Sequence, residues 1–330
     1  MRILVLGGTS FLSRWIVRDA VARGHDVICA ARGRSGSAPA GARLVVVDRD
    51  RPDALEALAE QRFDAVVDIA RAALGRVVAA LDALGDRTPH WTFVSSVSAY
   101  AHTEATGRSV DAPLREAIWD TAPDSSAERY GGIKVACEIS VRERLGDRAF
   151  IVRPGLISGP DDRTDRFGYW PARFCLGGRA VVPGVARQPI QHIDVRDLAA
   201  WIVSAAETGL TGTYDAVGPR TELDSVLHGI AELVGAPDLE LVPIDPQNLA
   251  AAGVSPWAGP RSLPLWLPSD HDGLVTHDPH PAVAAGLRIR DSAETVHATL
   301  EDERARGLHR PRAAGLSTED ERELLHRFGR

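Results

Sequence analysis

Apolar residues in the first half of the chain fall in short β-branched runs, separated by stretches whose apolar positions recur at helical spacing. Arg2–Leu6, Asp26–Ala30, Leu44–Val47, Ala65–Ile69, Thr92–Ser95 and Phe150–Arg153 read as strands, nearly continuous in apolar character as strands buried on both faces are. Phe11–Arg23, Pro52–Ala59, Ala72–Leu84 and a long segment from Ser126 to Leu145 read as the helices between them, the first stopped by Gly24. Successive βα units of roughly 20 to 30 residues predict an α/β fold, a Rossmann-type doubly wound parallel sheet.

After Arg153 the rhythm changes. Loops rich in Gly and Pro, at Gly155–Pro160, Pro183–Pro189 and Gly253–Pro268, separate short elements and predict a smaller C-terminal substrate lobe. The expected division assigns 1–160, with 190–218 returning to it, to the dinucleotide-binding domain, and 161–189 with 219–330 to the smaller lobe and C-terminal helices. In the returning stretch Gln191–Ile193 reads as a short strand. Asp194 reads as the cap of a helix carrying Leu198–Ala206, with Asp197 near its third position. A last helix is expected after Ser317, with Leu324, Leu325 and Phe328 on one side, and Gly33–Gly41 reads as a surface loop.

Composition narrows the class. With 330 residues, 44% hydrophobic and 25% charged, the chain is globular and large enough to bury a full core. Cys29, Cys137 and Cys175 stand far apart with no C-x-x-C, so neither a disulfide framework nor a structural zinc is expected, and a cytoplasmic setting follows. A net charge of −7 weighs against nucleic acid as a partner. No apolar run is long enough for a membrane span. The opening run breaks at Gly7-Gly8 and then meets Arg14 and Arg18, as a buried strand does and a signal peptide does not. His271, His277 and His280 lie near Asp270, Asp272 and Asp278, but their spacing matches no standard ligand set and no metal is expected.

Candidate chemistry begins where the first strand ends, in Gly7-Gly8-Thr9-Ser10-Phe11-Leu12-Ser13. Such a turn cradles a pyrophosphate, because glycine admits the ligand to the backbone and the helix start offers free N–H groups and a positive dipole end. The full motif has glycines where Ser10 and Ser13 stand. The second strand ends Ala30-Ala31-Arg32-Gly33-Arg34, without the carboxylate that would grip a ribose 2′-hydroxyl. Arg32 and Arg34 suit a 2′-phosphate instead, which favours NADP(H) and leaves NAD(H) possible. Asp48, followed by Arg49 after the third strand, is positioned either to accept from an adenine amino group or to cap a helix.

Of the 38 basic residues only Lys134 is a lysine, four positions after Tyr130. With four tyrosines in the chain, chance would place them so roughly 1% of the time. One turn apart on a helix face, an ammonium favours the phenolate form of a tyrosine and so equips it for proton transfer. Gly131 and Gly132 between them cost about 1 kcal/mol each in a helix, which points to close approach by a ligand or a neighbouring backbone. At the end of the fifth strand Ser96 is the natural partner for a substrate carbonyl, with Ser95 and Ser98 as competitors. Phe167, Tyr169 and Trp170, with Trp257 and Trp266, either line an apolar substrate pocket or pack a core.

Together the turn Gly7–Ser13, Ser95-Ser96 with Tyr100, the Tyr130/Lys134 pair, Arg153–Pro160 and Gln191–Leu198 resemble the extended short-chain dehydrogenase/reductase superfamily, also called the NAD-dependent epimerase/dehydratase family. Phe167–Pro171 and Pro264–Pro268 look like its bacterial reductase branch, akin to plant proteins once called stem-loop RNA binding. The resemblance implies Tyr130 as general acid/base, Lys134 on the nicotinamide ribose and Ser96 orienting the carbonyl. It also implies cofactor contacts from Ala70, Pro154 and Ile157, substrate contacts from Ser98, and a monomer or homodimer. Val97 and Ser98 stand where sugar-nucleotide dehydratases carry Asp-Glu, so dehydration is not expected. The expected function is reduction of a small ketone or aldehyde. Sugar-nucleotide epimerisation and a non-catalytic RNA- or cofactor-binding role are the alternatives.

Overall fold

The computed structural model describes residues 1–34, 36–51, 53–122 and 126–329. Its central sheet holds β1 (Arg2–Leu6), β2 (Asp26–Ala31), β3 (Arg43–Val46), β4 (Ala65–Asp68), β5 (His90–Val94), β6 (Ala149–Pro154) and a further strand, Gly212–Ala216. Across the sheet the order is Gly212–Ala216, β6, β5, β4, β1, β2, β3, and every neighbouring pair is parallel. The chain thus starts mid-sheet, winds to one edge, returns and winds to the other. The strand order reverses between β1 and β4, where a doubly wound sheet opens a crevice at its carboxyl ends.

Alternation along β1 builds both faces. Ile3 and Val5 join a core with Ile16 and Val17 of α1 (Phe11–Ala22) and Trp201 and Ile202 of a helix at Val195–Thr208. Leu4 and Leu6 point the other way, into a core with residues of α2 (Glu56–Ala59), α3 (Leu74–Leu84) and α4 (Ala127–Leu145). Asp194 accepts from Arg196 N at 2.7 Å and caps the Val195–Thr208 helix, as its position predicts. Ser317 likewise caps Thr318–Phe328. Among the described residues no helix is long and apolar enough to cross a membrane.

The later elements pack a third apolar cluster around the helices Tyr169–Phe174 and Leu223–Val234 and the parallel pair Arg179–Pro183 and Glu240–Ile244. Phe167, Tyr169 and Trp170 belong to this core at 1%, 2% and 0% exposure, so of the two readings open to them they take the core, not the substrate pocket. Trp170 Nε1 donates to Pro264 O at 3.0 Å, so the ring is held inside by a polar bond as well as by packing.

Boundaries shift in places. β5 runs from His90 to Val94 rather than over Thr92–Ser95, leaving Ser95 and Ser96 beyond the strand. α3 starts at Leu74 rather than Ala72, and α2 is a single turn at Glu56–Ala59; the expected start at Pro52 lies outside the described residues, as does Ser35 in the Gly33–Gly41 loop. Within Gly253–Pro268, Ser255–Trp257 pairs with Ser262–Pro264.

Candidate active site

β1 delivers Gly7 and Gly8 into backbone that side-chain-bearing residues avoid, with φ of +138° and +101°. A Cβ on Gly8 would lie 2.6 Å from Cys29 Sγ, so this glycine seats the turn against β2. Ser13 Oγ donates to Ser10 O at 2.6 Å and accepts from Ser10 N at 3.4 Å. The two serines standing where the full motif has glycines therefore close the turn through side-chain bonds, and α1 starts directly behind it.

The turn forms one wall of a crevice of about 970 Å³ at the carboxyl ends of the strands, lined by Gly7, Thr9, Ser10, Phe11 and Leu12. One end carries Arg32, Arg34, Asp48 and Arg49. Arg49 is held within the protein. It makes bonds of 2.7 and 2.9 Å to buried Asp68 and one of 2.6 Å to Arg76 O, so its role here is to brace the ends of β3 and β4. Asp48 Oδ1 accepts from Asp50 N at 3.4 Å and steadies the turn after β3. Arg32 comes only within 4.0 Å of Asp50, and the Arg34 side chain has no hydrogen-bond or ion-pair partner among the described residues.

The other end carries Ala70, Ser96, Ser98, Tyr130 and Lys134, with Pro154 and Ile157 across from them. Lys134 is 2% exposed, and its ammonium donates to Ala70 O at 2.6 Å and Val94 O at 2.7 Å, the carboxyl ends of β4 and β5. It lies 5.8 Å from the centroid of the Tyr130 ring and 4.8 Å from that of Phe93. Two of its three N–H groups are thereby used and one remains. Ser96 opens a short 3₁₀ turn, its Oγ accepting from Ser98 N at 3.1 Å and donating to Ser98 Oγ at 3.2 Å. The two helical glycines are explained by a neighbouring backbone. A Cβ on Gly131 would sit 2.1 Å from Ser98 O, one on Gly132 2.8 Å from Glu116 O, and Gly132 O accepts from Ile118 N at 3.0 Å.

Behind Ser96 runs a buried polar chain that the sequence reading did not single out. Ser95 Oγ donates to Glu138 Oε1 at 2.6 Å, and Arg153 grips Glu138 with bonds of 2.9 and 2.7 Å. Arg153 also donates to the Tyr100 hydroxyl at 2.9 Å, which itself donates to Asp215 at 2.7 Å; His277 Nδ1 closes on Asp215 at 3.0 Å. Burial raises the Glu138 pKa, but hydrogen bonding and charge from Arg153 outweigh it and hold the carboxyl below its ordinary value. Burial, with the Asp215 charge beside it, pushes the Tyr100 phenol well up, so this tyrosine stays protonated. His277 thus bonds Asp215, while His271 and His280 pair with Asp270 and Asp278 at 2.7 and 2.6 Å. Crevice residues that went unforeseen as site groups include Arg71, Arg76, Arg163, Thr164 and Arg166; His271 lines the crevice as well, and so does Trp257, one of the aromatics weighed for a pocket, at a φ of +67° unusual for a side-chain-bearing residue.

A parallel doubly wound sheet with a glycine turn at the switch point defines a dinucleotide-binding protein. Residues 3–216 match the NAD dependent epimerase/dehydratase family, and the chain belongs to that family. The 2'-dehydrokanamycin reductase of Streptomyces kanamyceticus is 34% identical over 207 residues, covering 59% of this chain. That match spans 55% of the reductase, about half its length. A stretch of 75 residues is 40% identical to the photosystem II assembly factor Ycf39 of Synechocystis, covering 22% of this chain and 23% of that protein. Among solved structures, UDP-N-acetylglucosamine 4-epimerase from Bacillus cereus superposes with a TM-score of 0.66 at 17% identity, covering 96% of this chain and 100% of that one. UDP-glucose 4-epimerase from Thermus thermophilus gives 0.62 at 20% identity over 92% of this chain and 99% of its own. These two likenesses establish the fold.

Proposed function

We propose that the protein is an NADP(H)-dependent oxidoreductase that reduces a ketone or aldehyde of a small organic substrate, with Tyr130 as the general acid. The observation that carries this reading is the meeting of Ser96, Tyr130 and Lys134 in one crevice with the glycine turn. The cradle fits a dinucleotide. Side-chain-free backbone at Gly7, together with the N-terminus of α1 behind Thr9–Leu12, suits a pyrophosphate. Arg32 and Arg34 suit a 2′-phosphate, Asp48 the adenine, and Pro154 and Ile157 the nicotinamide face.

When bound, the nicotinamide supplies the hydride that a carbonyl carbon accepts. Ser96 Oγ hydrogen-bonds the substrate carbonyl oxygen and holds it toward Tyr130. The Tyr130 hydroxyl gives its proton to that oxygen as negative charge develops there, completing the alcohol. Lys134, anchored by two backbone carbonyls, offers its remaining N–H to a ribose hydroxyl and sets its ammonium near the Tyr130 ring.

Tyr130→Phe is expected to abolish carbonyl-dependent NADPH oxidation while NADPH still binds, read by fluorescence titration. Turnover retained in the Phe variant would remove Tyr130 from the mechanism. Isomerised product without net NADPH consumption would instead place the chemistry in epimerisation.

A further inference from the structure

Three arginines gather in the crevice that holds Tyr130. Arg71, Arg163 and Arg166 all line the crevice, and among the described residues none of their guanidinium groups makes an ion pair. Of the acids nearest in sequence, Asp161 and Asp165 are paired elsewhere, while Asp162 acts on Arg166 by its charge without forming an ion pair. Asp161 faces Arg18 at 3.1 Å, and Asp165 is surrounded by Arg306, Arg310 and Arg312. Asp162 accepts from Thr164 N at 2.8 Å and from Thr164 Oγ1 at 2.9 Å.

Those last bonds aim Arg166. Thr164 Oγ1, held by Asp162, accepts from Arg166 Nε at 3.2 Å, while the guanidinium stacks on Trp257 with Cζ 5.1 Å from the ring centroid. One edge of the plane is tied and one face covered. The two terminal amino groups have no protein acceptor among the described residues, which leaves the fork that takes a carboxylate or phosphate through paired bonds. Burial lowers the Arg166 pKa, the nearby Asp162 charge offsets part of this, and the like charge of Arg71 lowers it again; an anion between the two arginines would relieve that repulsion. Among the described residues, the acidic side chains lining the crevice are Asp48, beyond the glycine turn, and Asp161, already paired.

We infer that the substrate carries an acidic group, a carboxylate or a phosphate, which Arg166 binds through its free fork with Arg71 adding charge, so that the reacting carbonyl lies toward Tyr130. This rests on the reductase reading for the carbonyl, while the anion site stands on its own residues. A substrate bearing an amine in place of the acid would be repelled by the two arginines.

The test is binding to the protein loaded with oxidised nucleotide, where no turnover occurs, using carbonyl compounds in matched pairs. The pairs are phenylpyruvate against its methyl ester and dihydroxyacetone phosphate against dihydroxyacetone, with aminoacetone as the cationic probe. Calorimetry is expected to show one acidic member binding about 10- to 100-fold more tightly than its neutral partner. Which pair shows it separates carboxylate from phosphate. Arg166→Gln should erase that preference while nucleotide affinity holds, Arg166→Lys should lose most of it although the charge remains, and the exposed Arg71→Gln should lower it. Three outcomes overturn the proposal: no acidic member preferred in either pair, a preference that survives Arg166→Gln, or a nucleotide affinity that falls in that variant. Activity retained by Tyr130→Phe would sink the reductase reading and leave this binding measurement untouched.

Discussion

Arg32 and Arg34 are two residues apart in sequence but are held differently. Arg32 shares Asp50 with Arg76, which already takes both carboxylate oxygens at 2.7 and 2.6 Å, whereas Arg34 has no side-chain partner among the described residues. A phosphate on the ribose would therefore draw first on Arg34. Arg34→Ala is expected to weaken NADPH binding by about tenfold, the lower end for a charged hydrogen bond at an open site, while NADH binding changes by less than about twofold. Parallel fluorescence titrations with the two nucleotides check it, and an equal loss for both would place Arg34 on a shared part of the cofactor. These arginines could be singled out as candidates because the strand end that carries them is a sequence feature. Arg166 was not, since only the fold brings Thr164, Asp162 and Trp257 around its guanidinium.

Fully buried strands were the clearest elements in the sequence, although the half-exposed edge strand β3 was legible too. Strands covered on both faces carry apolar runs, so β1, β2, β4 and β6 stand out in the sequence. The edge strand Gly212–Ala216, Gly-Thr-Tyr-Asp-Ala, has no such run, and its place beside β6 is decided by pairing. The aromatic segment Phe167–Trp170 stayed ambiguous in the sequence because nothing local distinguishes a pocket wall from a helix seated on another helix. α4 shows what pairing between elements adds, because Glu138 on it ties Ser95 beyond β5 to Arg153 on β6. With Arg153 2% exposed and Glu138 0%, removing one charge strands the other. Glu138→Ala is expected to cost roughly 3–5 kcal/mol in urea unfolding, and Glu138→Leu combined with Arg153→Met clearly less. If the double variant proved the less stable, the pair would be a net source of stability in its own right.

For the whole molecule these buried groups set the direction of pH dependence. Burial holds His192, bonded to Ser158 and packed on Phe167, at about 4 against an ordinary 6.5, and lowers His90 as well. A folded pKa below the unfolded one means that stability is complete above the unfolded value and is lost as pH falls toward the folded value. Glu138, Asp165 and Asp194 act in the same sense at lower pH: burial raises each, but arginine partners outweigh it and leave the pKa depressed. Asp19, Asp162 and Asp272 oppose them, since burial raises their folded pKa and the folded state then takes up the proton more readily. The histidines titrate first on acidification, so urea midpoints should be level from about pH 8 to 7 and fall between about 6.5 and 4. His192→Asn keeps a polar group toward Ser158 at a position that no longer titrates, and should flatten part of that fall. A midpoint constant down to about pH 4, or a His192→Asn profile that superimposes on that of the parent, would assign the acid sensitivity to other groups.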